Sequence, residues 1–271
     1  MPAAKSHVEW TQFHSNQAQA YEQYLVPAIF GRFALRLVAA ARVEAGLRVL
    51  DLACGTGVVA RVLSTLVMPS GRVVGVDQNP QMLEVASALA SLEWVQASAD
   101  SMPIPDGSFD LVVCQQGLQF FPDRVAALRE VHRVLAPSGR LMVSVWRDIG
   151  VGFDALAEAL HRHVGPEAGA ALSRGPASLR DERELRRLVE EAGFRHSALS
   201  VAVEEAIFPS AEQFVVRYLA ATPLGSALAS SGQGVREKVL AQVANRLEPF
   251  TTNEGLRWPL ESNVLSALRD D

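Results

Sequence analysis

Cysteine is nearly absent: Cys54 and Cys114 are the only two among 271 residues. Two thiols cannot build a disulfide framework or a four-cysteine zinc site. An excess of positive charge is also missing, because 25 Lys and Arg face 30 Asp and Glu for a net charge of −5. An acidic chain is a poor match for a phosphate backbone. The densest basic cluster (Arg183, Arg186, Arg187) is interleaved with Asp181, Glu182 and Glu184, the pattern of a solvated helix face. Nucleic acid is therefore excluded as a partner. The opening MPAAKSHVEWTQFHSN lacks the apolar stretch of a secretory signal. No window reads as the roughly 20 apolar residues that cross a bilayer. A soluble, cytoplasmic protein without a membrane span is the expectation. His161 and His163 stand two residues apart, on different faces of a helix, with no acidic or cysteine partner at ligand spacing. No metal site and no internal repeat is expected.

What is present is ordinary globular material, with 49% hydrophobic, 20% charged and 7% aromatic residues in a chain long enough for a sizeable core. Residues 16–44 read as helical, with Tyr21, Leu25, Ile29, Phe33 and Leu37 at four-residue spacing and Pro27 punctuating the run. Short apolar runs follow at 47–52, 72–77, 93–98, 109–114 and 139–146, separated by helical patterns at 58–67, from Pro80, and at 122–135. Nearly continuous apolar strands alternating with helices imply a parallel sheet covered on both faces, an α/β fold. Beyond Trp146 the alternation loosens. Helices are expected at 153–164, 181–192 and 210–248, the last interrupted by the Gly/Ser-rich 225–234, and strands at 194–208 and 255–269. The organisation expected is a helical cover (1–44), a nucleotide-binding core (45–208), a helical cap (209–254) and a final core strand (255–271).

The chemistry is concentrated in VLDLACGTG (49–57), where a strand ends and a helix begins. In an open parallel sheet, ligands bind outside the carboxyl ends of the strands. Gly55 and Gly57 let the backbone turn tightly and approach a ligand. With Ala60 the string is also G-x-G-x-x-A, a weak dinucleotide signal by itself. Two carboxylates discriminate. Asp51 lies four residues before Gly55, inside the mouth, where it would repel a pyrophosphate but suit an ammonium and a sulfonium. Asp77 ends the next strand, 77 − 57 = 20 residues past the second glycine, the spacing at which a carboxylate accepts both ribose hydroxyls. An adenosine ligand with a cationic, phosphate-free tail is favoured.

Four ordered motifs, VLDLACGTG, VVGVDQNPQML, ASADSMPIPDGSFDLVVC and ALREVHRVLAPSGRLMVSVW, span about 47–146. In them the chain resembles the class I S-adenosylmethionine-dependent methyltransferases of the type 11, ubiquinone/menaquinone-biosynthesis-like kind. The resemblance implies a Rossmann-like, seven-stranded, mostly parallel sheet of order 3-2-1-4-5-7-6, its last strand antiparallel beside the fifth. It implies S-adenosylmethionine as cofactor and S-adenosylhomocysteine as product. By the same likeness Ala53, Gly55 and Gly57 would line the methionine part, with Asp51 supporting its amine. Asp77 would bind the ribose, Gln78 and Met82 would lie against the adenine, and Asp100 would accept from the adenine amino group beside Ala99 and Ser101. Gln115 and Gln116 follow the fourth strand, where such enzymes close over the methionine, although many relatives carry other residue types there.

The ends of the chain carry no transferable substrate identity. His14 is a candidate general base. Tyr21, Tyr24, Gln119, Trp146 and Tyr218 are candidate substrate contacts, while Phe120, Phe121, Trp258 and Pro259 read as structural. Phe13, Phe30, Phe208, Phe214 and Phe250 point to a small, hydrophobic or aromatic acceptor, methylated at oxygen or carbon by in-line displacement. Cys54 and Cys114, at the ends of neighbouring strands, read as small buried residues rather than a redox pair. Other readings of the same residues are a cofactor-binding enzyme of non-methylating chemistry such as a cyclase, a nicotinamide oxidoreductase, and a non-catalytic module. A monomer and a homodimer are equally compatible with the sequence.

Overall fold

A computed structural model describes residues 16–270. Each apolar run becomes a strand: β1 (Arg48–Leu52), β2 (Arg72–Asp77), β3 (Glu93–Gln96), β4 (Phe109–Gln115), β5 (Leu135–Asp148) and β6 (Arg195–Phe208), then the short β7 (Thr251–Thr252) and β8 (Gly255–Leu268). The sheet runs β3-β2-β1-β4-β5-β8-β6. The first five strands pair in parallel, and β8 is antiparallel to both β5 and β6. The seven long strands therefore take the expected order, with the last one inserted beside the fifth. The correction is an eighth strand: two-residue β7 folds back on β8 as a hairpin arm, too short to leave a periodic signal.

Helices α1 (Gln17–Ala20) and α2 (Gly31–Ala41) flank a π-helical stretch, Tyr21–Phe30, in one continuous helix. Pro27 lacks an N–H, and in a regular α-helix its ring strikes the carbonyl four residues back. The widened turn accommodates it, and the Gly31 N–H reaches back five residues to the Val26 carbonyl. Pro27 therefore widens the helix rather than punctuating it. Contrary to the hydropathy reading, Gln17–Ala41 is long and apolar enough by composition to cross a membrane; half of its apolar window is buried inside the structure.

Helices α3 (Val58–Val67), α4 (Pro80–Leu89) and α5 (Arg124–Val134) return the chain between strands. Asn79 and Asp123 cap α4 and α5, accepting from Gln81 N–H at 3.0 Å and Ala126 N–H at 2.9 Å. After β5 come α6 (Gly150–His163), α7 (Pro166–Arg174) and α8 (Glu182–Glu191), and after β6 α9 (Ala211–Ala220), α10 (Leu224–Ala229) and α11 (Gln233–Leu247). α7 and α10 escape the periodicity reading because PEAGAALSR and LGSALA are built of small residues.

The sheet is covered on both faces. α2 and α3 bury Leu37 and Leu63 against Val49 and Val113. α5 and α8 bury Leu128 and Leu185 against Val112 and Leu141 on the other. Each such side chain contributes about 1.5–3 kcal/mol. A third cluster joins the π-helical stretch, α6, α9 and α11 around Phe153, Phe214 and Trp258. Trp258 is structural as expected, its indole N–H donating to the Ile149 carbonyl at 3.2 Å. Phe208 stacks on it at 5.7 Å, and Phe214 meets it edge-on at 4.9 Å.

Candidate active site

Strands β1, β2 and β4 end side by side, and their following loops form one pocket. After Leu52 the chain turns through Ala53 (φ 55°) and Gly55 (φ 54°) into α3. Gln116, just past β4, is likewise left-handed (φ 53°). Non-glycine residues held there store strain of order 1–3 kcal/mol each, a pattern concentrated at functional sites. In the loops after β1 and β4, two glycines are sterically obligatory. A Cβ on Gly57 (φ 80°) would stand 2.4 Å from the Trp94 ring. One on Gly117 would stand 2.6 Å from the Ala53 Cβ, so only glycine lets the β4 loop close on the β1 loop.

Asp51 is 1% exposed and accepts from the Ala60 N–H at 2.9 Å, pinning β1 to the first turn of α3. Burial, with Asp77 nearby adding repulsion, pushes its carboxyl up to about 8. Asp77 takes one N–H on each oxygen, from Gly55 at 2.8 Å and Asn79 at 2.9 Å. Burial raises its pKa, while these backbone N–H groups hold the carboxylate form.

The cavity in front of these loops measures about 350 Å³. Of the cofactor candidates, Ala53, Gly55, Asp77, Gln78, Met82, Ala99, Asp100, Gln115 and Gln116 line it. Asp51 and Gly57 do not. Asp51 lies behind the loop, and Gly57 is spent on clearance for Trp94. Ser101 is also outside the wall, its N–H turned back to the Ser98 carbonyl at 3.2 Å. Among the substrate candidates Tyr21, Trp146 and Tyr218 line the cavity. Tyr24 does not, lying instead under the Arg217 guanidinium at 5.2 Å. Gln119 is buried behind the wall, donating to Gln116 at 3.4 Å. Phe30 lines the cavity, whereas Phe208 and Phe214 are spent in the core; Phe120, read as structural, is 55% exposed at the mouth. His14 and Phe13 lie outside the described residues. Sequence reasoning missed Phe153, Ile149, Asn79, Ser98 and Asp123, all in the wall. Asn79 and Asp123 were findable as helix caps at strand-loop ends.

The π-helical stretch closes the pocket. Glu22 accepts from Thr56 Oγ1 at 2.5 Å and pairs with Arg61 at 2.7 Å. The Phe30 carbonyl accepts from Gln115 Nε2 at 3.1 Å. Gln115 Oε1 and the Ser144 hydroxyl, on residues opposite each other in the sheet, are buried without a partner among the described residues. Among the described residues the lining holds Asp77, Asp100 and Asp123 but no Lys, Arg or His. Burial keeps the Tyr21 and Tyr218 hydroxyls protonated, with the Asp77, Glu22 and Asp51 carboxylates adding to the effect at Tyr21. It also pushes the Cys114 thiol up to about 12 and Cys54 well above its ordinary value, which suits inert packing. No cluster of three or more potential metal ligands occurs among the described residues.

Comparison with known proteins agrees with this geometry. Residues 50–143 match the family model described as a methyltransferase domain. A ubiquinone/menaquinone biosynthesis C-methyltransferase, UbiE, from Cronobacter sakazakii is 33% identical over 176 residues, 57% of this chain and 68% of the relative. The chain belongs to the class I S-adenosylmethionine-dependent methyltransferases. The fold of this methyltransferase resembles that of YcgJ from Bacillus subtilis (TM-score 0.58, 20% identity, 89% of this chain and 99% of that one). It also resembles phosphoethanolamine N-methyltransferase 2 from Haemonchus contortus in complex with S-adenosyl-L-methionine (TM-score 0.58, 17% identity, 98% of this chain and 61% of that one). Those identities speak to fold alone. The residues present fit the cofactor: the charged side chains of the wall among the described residues are all acidic, which suits a cationic nucleoside, and the Asp77 carboxylate faces the cavity as an acceptor.

Proposed function

We propose that this methyltransferase acts on a small, apolar, non-anionic acceptor, at an oxygen or carbon atom that is acidic in its own right. One observation carries this reading. The part of the wall built from the π-helical stretch, α6, α9 and the end of β5 is aromatic (Tyr21, Phe30, Trp146, Phe153, Tyr218), and no cationic side chain lines the cavity among the described residues. A phosphate or carboxylate on the acceptor would be desolvated beside three aspartates with no counter-charge.

When bound, S-adenosylmethionine supplies a methyl group on a sulfonium, activated for in-line transfer. The chain's own contribution is binding, alignment and exclusion of water. In this reading Asp77 accepts the ribose hydroxyls, and Gln78, Met82, Ala99 and Asp100 surround the adenine. Ala53 and Gly55 offer backbone groups to the methionine end, and Asp51 holds its ammonium from behind the loop. The free Gln115 Oε1 is a ready acceptor for a ligand N–H or O–H. Among the described residues no His or Lys lines the cavity to act as base, and the two tyrosines stay protonated. An acceptor that carries its own acidity, as a phenol or an enolisable carbon does, suits such a lining.

The test is incubation with isotope-labelled methyl donor and a metabolite extract split into apolar and anionic fractions, read by mass spectrometry. Labelled methyl is expected in an apolar product bonded to oxygen or carbon. Label appearing only in anionic products would refute the reading.

A further inference from the structure

The two edges of the sheet are unlike. β3 is four residues long, and its Glu93 is held by Arg72. β6 is fourteen residues long, RHSALSVAVEEAIF, without proline or lysine, and among the described residues nothing pairs with its outer side. Long, unprotected edge strands template pairing with another chain unless they are broken or charged. The bulge of β6 lies at its start, between Arg195 and Ala198, leaving 198–208 regular. Val201 (44% exposed) and Val203 (51% exposed) lie along the same face, bare of the helices that cover the rest of the sheet. Leu35 on α2, 60% exposed, stands next to Arg36, which reaches Glu204 of β6.

The charge of β6 is polarised along its length, Arg195 at one end and Glu204 and Glu205 toward the other; each already has a partner in its own chain (Asp270, Arg36 and Arg257), so pairing with a second copy would extend these pairs into a network. Two such strands laid antiparallel put unlike charges together at both ends, so the strand is complementary to a second copy of itself. We propose that this protein forms a homodimer by pairing β6 with β6, joining two sheets into one across a two-fold axis.

The symmetry restricts the register. A two-fold axis perpendicular to the sheet keeps each side chain on its own face, and directly opposed residues share a face. The numbers of opposed residues must then sum to an even value. A sum of 400 brings the Arg195–His196 end beside Glu204 and Glu205 of the partner subunit, with one residue of offset absorbed by the bulge. That register sets Val201 against the partner's Leu199 and places Ser200, an exposed residue, on the axis facing the partner's Ser200.

The experiment is sedimentation equilibrium on the full chain from micromolar to millimolar concentration, with three variants checked for folding by circular dichroism. The wild type is expected at twice the 29.3 kDa chain mass. Ser200→Lys sets a charge against its own copy and is expected to return the chain to monomer. Ser200→Cys is expected to give an interchain disulfide on mild oxidation, because the register holds the two positions within bonding distance. Val203→Cys, which faces Ser197 of the partner subunit, is expected to give none. A wild-type monomer throughout, a Ser200→Lys dimer as tight as wild type, or Val203→Cys linking as fast as Ser200→Cys would each overturn the proposal.

Discussion

Asp51 offers a proton count that tests the cofactor assignment independently of any acceptor. Its carboxyl stands near 8 in the folded chain, chiefly through burial, against an ordinary value of 3.8. Between those two values the folded state binds the proton that the unfolded state releases, so folding stability falls as pH rises from about 4 to about 8 and is level beyond. At pH 7 the loss reaches at most roughly 4 kcal/mol, from about three pH units at 1.36 kcal/mol each. An ammonium brought near Asp51 reverses the balance and favours the carboxylate. Binding of S-adenosylmethionine at pH 7 should then release close to one proton, since a group with pKa 8 is about 90% protonated there.

Titration calorimetry in buffers of different ionisation enthalpy reads that number as the slope of apparent binding enthalpy against buffer enthalpy. Asp51→Asn keeps an acceptor for the Ala60 N–H and removes the titrating group. It should abolish most of the slope, weaken binding by about tenfold or more through loss of a charged partner, and flatten the pH dependence of urea unfolding. An equal slope in wild type and Asp51→Asn would refute both the ammonium contact and the protonation argument.

Other expectations follow from the same geometry. Gly57→Ala meets the Trp94 ring and a left-handed backbone at once, and should lower unfolding stability by roughly 2–4 kcal/mol; a shift below 1 kcal/mol in denaturant midpoint experiments would mean the loop re-forms. Asp77→Ala leaves the Gly55 and Asn79 N–H groups without their carboxylate and should weaken cofactor binding on the order of a hundredfold by calorimetry. Glu22→Gln loosens the tie to Thr56 and Arg61. It should cost about 1 kcal/mol or less in global stability while speeding hydrogen exchange across residues 17–30. Cys54 and Cys114 should react with thiol reagents only after unfolding.

The legible part of this molecule is the part whose signals are local. LRVLDL and FDLVVC are buried on both faces, so their composition alone marks strands, and Gly55 and Asp77 stand past strand ends in the wall of the cavity, with Asp51 buried just behind them. The illegible part depends on partners distant in the chain. Gly57 looked like a ligand contact because its conformational freedom is visible in the sequence, whereas the ring that requires it, Trp94, is 37 residues away. Phe153, Phe208 and Phe214 have equivalent helix or strand periodicity, yet only Phe153 reaches the cavity. All three rings meet Trp258, Phe208 by stacking and Phe153 and Phe214 edge-on, a set of contacts that needs β8 inserted beside β5 and that no local pattern announces. The aromatic wall is thus built from Tyr21, Trp146, Phe153 and Tyr218 on four separate elements. Under the proposed function a change of substrate is most readily made there, by altering helices outside the loops that follow β1, β2 and β4.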